Sequence, residues 1–138
     1  MKKVIITALA LALAASSIAA HATVPVGQWD GEWFHMDGGP RFDAYIMRTT
    51  QNADGTQSYW MRLDYKKPKN IAGNAIVEIK DHTDINCATA MIRNTMELQY
   101  DGDGNPVRTF TKAEAWSAIV PESLASAVQK LVCKKDAQ

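Results

Sequence analysis

Cys87 and Cys133 are the only cysteines in the chain and carry its most definite chemistry. Their spacing is neither CxxC nor a metal-knuckle pattern, which argues against dithiol redox cycling and against zinc. An isolated pair in an exported chain forms a structural disulfide. Closing a loop of about 47 residues stabilises the fold by about 4 kcal/mol on the chain-entropy account. Histidine and carboxylate side chains come in two short groups, His35-Met36-Asp37 and Asp81-His82-Thr83-Asp84. A metal-dependent hydrolase built on His35, Asp37, His82 and Asp84 would need two separate hairpin regions to converge in one cleft. Turn-proximal His and Asp are more commonly solvated or turn-forming, so no metal and no cofactor are expected. Asp101, Asp103 and Asn105 occupy positions one, three and five of an EF-hand-like loop. Pro106 then stands where that loop needs Gly and Lys112 where it needs a bidentate Glu, so the segment reads as a hairpin turn. The chain has no nucleophile elbow, phosphate-cradling glycine loop or HExxH. No catalytic residue is assigned, and the chain reads as a non-enzyme.

The elements that position these residues are mostly strands. In 57–66, Tyr59, Met61, Leu63 and Tyr65 alternate with Ser58, Arg62, Asp64 and Lys66. Ala75, Val77 and Ile79 alternate with Ile76, Glu78 and Lys80. From Ala88 to Tyr100, Ala88, Ala90, Ile92, Met96, Leu98 and Tyr100 are placed on one face, opposite Thr89, Arg93, Thr95, Glu97 and Gln99. Period-two alternation with one wet face indicates an antiparallel sheet. Strands are expected over 29–36, 41–49, 57–66, 74–81, 88–100 and 105–111, separated by Gly/Asn/Asp turns. After Trp116 the period changes. Pro121 suits a first helical turn, and Leu124, Val128, Leu131 and Val132 follow at helical spacing, predicting a helix over 121–134. The fold class is therefore α+β, an antiparallel meander of about six strands. The C-terminal helix packs on its apolar face, and Cys133 ties it to Cys87 at the start of the longest strand.

Most of the aromatic residues belong in the core of such a domain. Trp60 is the exception, because it falls on the polar face of its strand. With Arg62 and Lys66 on the same face, and Lys67 and Lys69 around Pro68, it has the composition of a protein-contact patch. The plainer readings are a ring lying under an adjacent loop and three lysines in a solvated turn.

The N-terminus places Lys2 and Lys3 before an apolar run from Val4 to Ala15 interrupted only by Thr7. Small residues follow, which is the pattern of a secretory signal peptide. The run is shorter than the roughly 20 residues needed to span a bilayer. Cleavage is expected after Ala22, with Ala20 as the alternative. No cysteine stands near that boundary to carry lipid, so the mature chain is expected unanchored, in the periplasm or beyond. Removing residues 1–22 of 138 leaves 116, enough for one domain. Basic and acidic side chains balance at 15 and 15, or 13 and 15 once Lys2 and Lys3 are removed. A near-neutral domain gives no reason to expect nucleic acid as a partner.

Several segments together resemble one family. They are Trp33-Phe34-His35-Met36-Asp37, Trp60 to Pro68, Ile85-Asn86-Cys87 and Leu98-Gln99-Tyr100-Asp101-Gly102, with Trp116 to Ser123 ahead of a helix closing on Cys133. In this order they are similar to the bacterial surface-adhesin protein E family, across nearly all of the mature chain. The resemblance implies a curved antiparallel sheet of about six strands, with a C-terminal helix held on its concave side by a disulfide. It also implies an exported, sometimes dimeric protein of Gram-negative bacteria that binds host extracellular-matrix proteins. The alternative is a resident periplasmic structural or inhibitor-like protein acting through an open sheet edge or through dimerisation.

Overall fold

The computed structural model describes residues 24–47 and 49–134. The signal peptide expected over 1–22, with its cleavage site, lies outside them. The alternating segments form one antiparallel sheet of nine strands, not about six. They are β1 (Trp29–Asp30), β2 (Trp33–Gly38), β3 (Phe42–Met47), β4 (Thr50–Gln51), β5 (Gln57–Ile71), β6 (Asn74–Asn86), β7 (Met91–Tyr100), β8 (Pro106–Phe110) and β9 (Ser117–Ala118). Six are long enough to show a repeat. The three extra strands have two residues each, too few for alternation to reveal. The sheet order β1-β2-β3-β5-β6-β7-β8 is the expected meander, with β4 pairing β5 and β9 pairing β7. No helix among the described residues is long and apolar enough to cross a membrane.

Two strands outgrow their expected ends. β5 runs on to Ile71 and β6 to Asn86, so Lys66, Lys67 and Lys69 lie in a strand rather than a turn. The ladder steps from Asp64↔Glu78 directly to Lys69↔Ile76, so four residues of β5 face a single residue of β6. Pro68 accounts for the break, because it has no N–H to give the ladder and is tolerated in a bulge. Beyond it the hairpin closes through Ala72 and Gly73, both at positive φ (51° and 84°), the geometry of the favoured two-residue turn.

A second bulge reassigns the faces of β7. His82 pairs with Met96 and Thr83 with Asn94, which leaves Thr95 as an extra residue. The Thr95 hydroxyl donates to the His82 carbonyl at 3.0 Å and lies 2.6 Å from His82 Nδ1, pinning the bulge. Ile92, Asn94, Glu97 and Gln99 thereby align with Ile85, Thr83, Asp81 and Ile79, while Met96, Leu98 and Tyr100 align with His82, Lys80 and Glu78. The single apolar face drawn from Ile92 to Tyr100 is therefore wrong. One inserted residue moves every later side chain to the opposite face. Residues 88–90 are turn rather than strand, with the Asn86 side chain accepting from the amides of Ala88 and Thr89.

The one helix among the described residues, α1 (Leu124–Val132), begins later than expected. Pro121 precedes it, and Ser123 is the N-cap, its hydroxyl accepting from the Ser126 amide at 3.2 Å. Val128 and Val132 pack with Ile46, Tyr59 and Ile85 to form the core between helix and sheet. Cys87 and Cys133 are bonded, with Cα atoms 5.6 Å apart. Cys87 sits just past β6 rather than at the start of the longest strand, which is the 15-residue β5. The bridge joins the helix end to the β6–β7 turn.

Candidate binding surface

Residues paired across the helix-free side of β2, β3 and β5 form a stack of rings and charges. The Arg62 guanidinium carbon lies 4.1 Å from the centre of the Tyr45 ring and 5.0 Å from that of Trp33. His35 stacks on Tyr45 with centroids 4.5 Å apart. Arg62 Nε is also 3.1 Å from Asp64 Oδ1, an ionic contact that lacks hydrogen-bond alignment. Burial pushes the Asp64 carboxyl above its ordinary range, with Arg62 pulling against it and Glu78 reinforcing it. The Arg62 side chain is only 14 % exposed. It is a structural clamp on this face as much as a contact residue. Arg62→Ala is expected to lower stability by about 2 kcal/mol, the range for a desolvated cation over aromatic rings. Arg62→Lys should recover only part of that, because an ammonium does not stack as a planar guanidinium does. Urea unfolding of the three proteins checks both statements.

The other proposed patch residues separate into distinct environments. Trp60 is half-buried and packs edge-on against His82 at 5.0 Å, while the exposed tryptophan is Trp29 at 51 %. Sequence reasoning offered Trp60 for a contact patch, with cover by an adjacent loop as the plainer reading; what half-covers it is His82, its cross-strand partner on the same face. Lys66 is exposed and reaches Asp43 at 3.5 Å, where Asp43 also lies 3.5 Å from His35. Lys67 and Lys69 flank Pro68 and line a groove of about 640 Å³ with Arg41, Phe42 and Tyr65. Lys69 Nζ is 5.6 Å from the Tyr65 ring, whose edge meets Phe42. Three cations thus surround two aromatic rings at the end of the sheet where the Pro68 bulge splays β5 from β6. Arg41 was missed by sequence reasoning. It joins Lys67 because the Lys66 amide donates to its carbonyl across the β3–β5 edge.

The histidines and carboxylates tested for metal chemistry do not converge. His35, on β2, bonds the backbone oxygens of Val24 and Asp37, whereas His82, on β6, contacts Trp60 and Thr95. Asp84 is taken up by Arg93, which donates from Nη2 at 3.0 Å and from Nε at 3.1 Å, and by the Ser58 hydroxyl at 2.7 Å. Arg93 in turn lies 4.6 Å from the centre of the Trp116 ring. Asp101 Oδ1 accepts from the amides of Asp103 and Asn105. That is a side-chain-closed hairpin turn, and it holds the Asp101 carboxyl below its usual range. Among the described residues, no three His, Cys, Asp or Glu side chains gather in a way that could hold a metal ion.

One carboxylate stands apart and was not singled out from sequence. Asp81 lies on the helix side of β6, is only 8 % exposed, and its Oδ1 has no hydrogen-bond partner. Its cross-strand partner is Glu97, another carboxylate, a pairing that costs stability. Burial first, then Glu97 and Glu114, push the Asp81 carboxyl up to about 7. In the sequence, Asp81 is one acidic residue beside a histidine. Only the Thr95 bulge brings Glu97 to the same side.

The family model described as surface-adhesin protein E matches residues 33–134, from the start of β2 to just beyond Cys133. That span holds β2 to β9, the helix and both halves of the disulfide. No curated protein and no solved structure matches the chain. With well over half of its length matched, the chain belongs to the surface-adhesin protein E family.

Proposed function

We propose that this protein is an exported, non-catalytic adhesin that holds a protein partner at the basic, aromatic end of its sheet. Residues 1–22 act as the signal peptide, 23–138 form the mature domain, and the partner is a host extracellular-matrix protein. Family membership supports the general role. The groove of Arg41, Lys67 and Lys69 around Phe42 and Tyr65 carries the choice of surface. Aromatic rings and Arg are enriched at interfaces, and exposed lysines at a rim steer a partner of opposite charge. Lys66, Arg62 and Trp60 extend the surface along β5 toward the helix-free face. The same residues are also open to a homodimer, which the oligomeric state in solution decides.

Two measurements test this reading. Protease shaving of intact cells, compared with osmotic-shock release, reports location. Digestion on intact cells supports the adhesin, and protection with release on shock favours a resident periplasmic role. For the surface, a Lys67→Glu/Lys69→Glu variant should bind immobilised extracellular-matrix proteins about tenfold more weakly, mainly through slower association. Both lysines are exposed, so its unfolding midpoint should match that of the parent. A folded variant that binds as well as the parent would remove the groove from the proposal.

A further inference from the structure

Beneath the N-terminal half of α1 lies a cavity of about 280 Å³, close to the lower limit of ligand-sized sites. Tyr59 and Met61 from β5, Ile92 from β7, and Leu124, Ala125 and Val128 from α1 give it apolar walls. Asp81 and Asn94 supply polar groups inside, and Glu114 and Ser117, both exposed, line it toward solvent. Glu114 is held there by its backbone, its amide donating to the Asn94 carbonyl at 2.8 Å. This is the stretch of β7 between the pairings of β8 and β9.

We propose that this cavity binds a small organic cation, a primary ammonium on a short apolar chain, with Asp81 as its counter-ion. The proposal is independent of the adhesive groove. Three observations carry it. Asp81 is more than nine-tenths buried with an unpartnered carboxylate oxygen, and buried polar groups without partners are rare. Two further carboxylates, Glu97 and Glu114, raise the negative potential at Asp81. Among the described residues, the cation lining the cavity is Arg93, and its guanidinium is engaged with Asp84 and Trp116. A charged head meeting Asp81 and a hydrocarbon tail along Met61, Ile92 and Val128 would satisfy both kinds of wall. A bare metal ion fits less well, since it needs more oxygen ligands than are gathered here.

The ionisable groups around Asp81 fix the sign of the pH dependence. β5 contributes Tyr59, β7 contributes Glu97 and Arg93, and the 111–116 connection contributes Glu114. Those residues of α1 that line the cavity are not ionisable. Asp81 must be ionised to pair with an ammonium, so affinity should rise between pH 6 and pH 8, across the value of about 7.

Titration of n-butylammonium into the isotopically labelled mature protein, followed by amide chemical shifts, tests the site. Saturable shifts at residues 81, 92, 94, 125 and 128 are expected, and n-butanol at equal concentration should produce none. Asp81→Asn should weaken binding by about tenfold or more, the range for a lost charged hydrogen bond. Glu114→Gln, at an exposed position, should weaken it about threefold and reduce its salt dependence. The proposal is overturned if wild-type shifts do not saturate or if butanol binds equally well. It is also overturned if calcium alone gives the same shifts more tightly, or if neither Asp81→Asn nor Glu114→Gln alters binding.

Discussion

Cys87→Ala, and equally Cys133→Ala, should lower the stability of the mature domain by about 4 kcal/mol. The bridge closes a sequence separation of 46 residues that spans all of β7, β8, β9 and α1. Without it the unfolded chain regains that loop entropy. The folded chain also loses the tether on a helix of only nine residues that buries just Val128 and Val132 fully. A helix this short has little stability of its own and depends on docking. Thermal unfolding of the alanine variants, with the parent under reducing conditions as a third sample, measures the loss. Since small domains are commonly stable by only about 5–15 kcal/mol, the variants should be partly unfolded well below the parent midpoint. Parent-like unfolding of either variant would mean that helix docking alone holds this end of the fold.

Asp81→Asn should have the opposite effect above neutral pH. The folded carboxyl is pushed up to about 7 from an ordinary value of 3.8, so the native state holds a proton that the unfolded chain has released. Between roughly pH 4 and pH 7 the native state binds more protons, and stability falls as pH rises through that window. By pH 8 the carboxylate is ionised inside the cavity opposite Glu97. The neutral amide avoids this and can donate toward Glu97. The full interval corresponds to a ceiling of about 4 kcal/mol, and water reaching the cavity mouth should reduce the gain to about 2 kcal/mol at pH 8. At pH 4 parent and variant should differ little. Asp64, raised in the same direction, adds to the parent's slope and is unchanged in the variant. Urea unfolding at pH 4, 6 and 8 reads the difference, and a gap that does not widen with pH would refute the assignment.

The two proposed surfaces were legible to different degrees. The lysine cluster around Pro68 could be named from sequence, because residue types alone suggest a contact patch. Its partners Arg41, Phe42 and Tyr65 could not, since they arrive through the β3–β5 pairing and a bulge of four residues against one. Arg62 and Trp60 were correctly placed on the polar side of β5. Sequence could not say that Trp33 and Tyr45 would enclose Arg62 or that His82 would half-cover Trp60. Asp81 was named only as a member of the group from Asp81 to Asp84 and was given no role. Nothing local marks a carboxylate as unpartnered, and the cavity has walls from β5, β6, β7, α1 and the connection before β9.

By itself the sequence determined the antiparallel meander, the terminal helix, the cysteine pairing and the family. Each of these follows from local signals: period-two alternation, a change to helical spacing, two cysteines and an ordered set of short motifs. Tertiary structure decided the three two-residue strands, the helix start at Leu124 and which face each half of β7 presents. The physical reason is that register is cumulative. The single extra residue at Thr95 reverses every side chain beyond it, and only pairing with β6 reveals it. The same reversal sets Glu97 opposite Asp81, so the most unusual site in the molecule exists only in the folded chain.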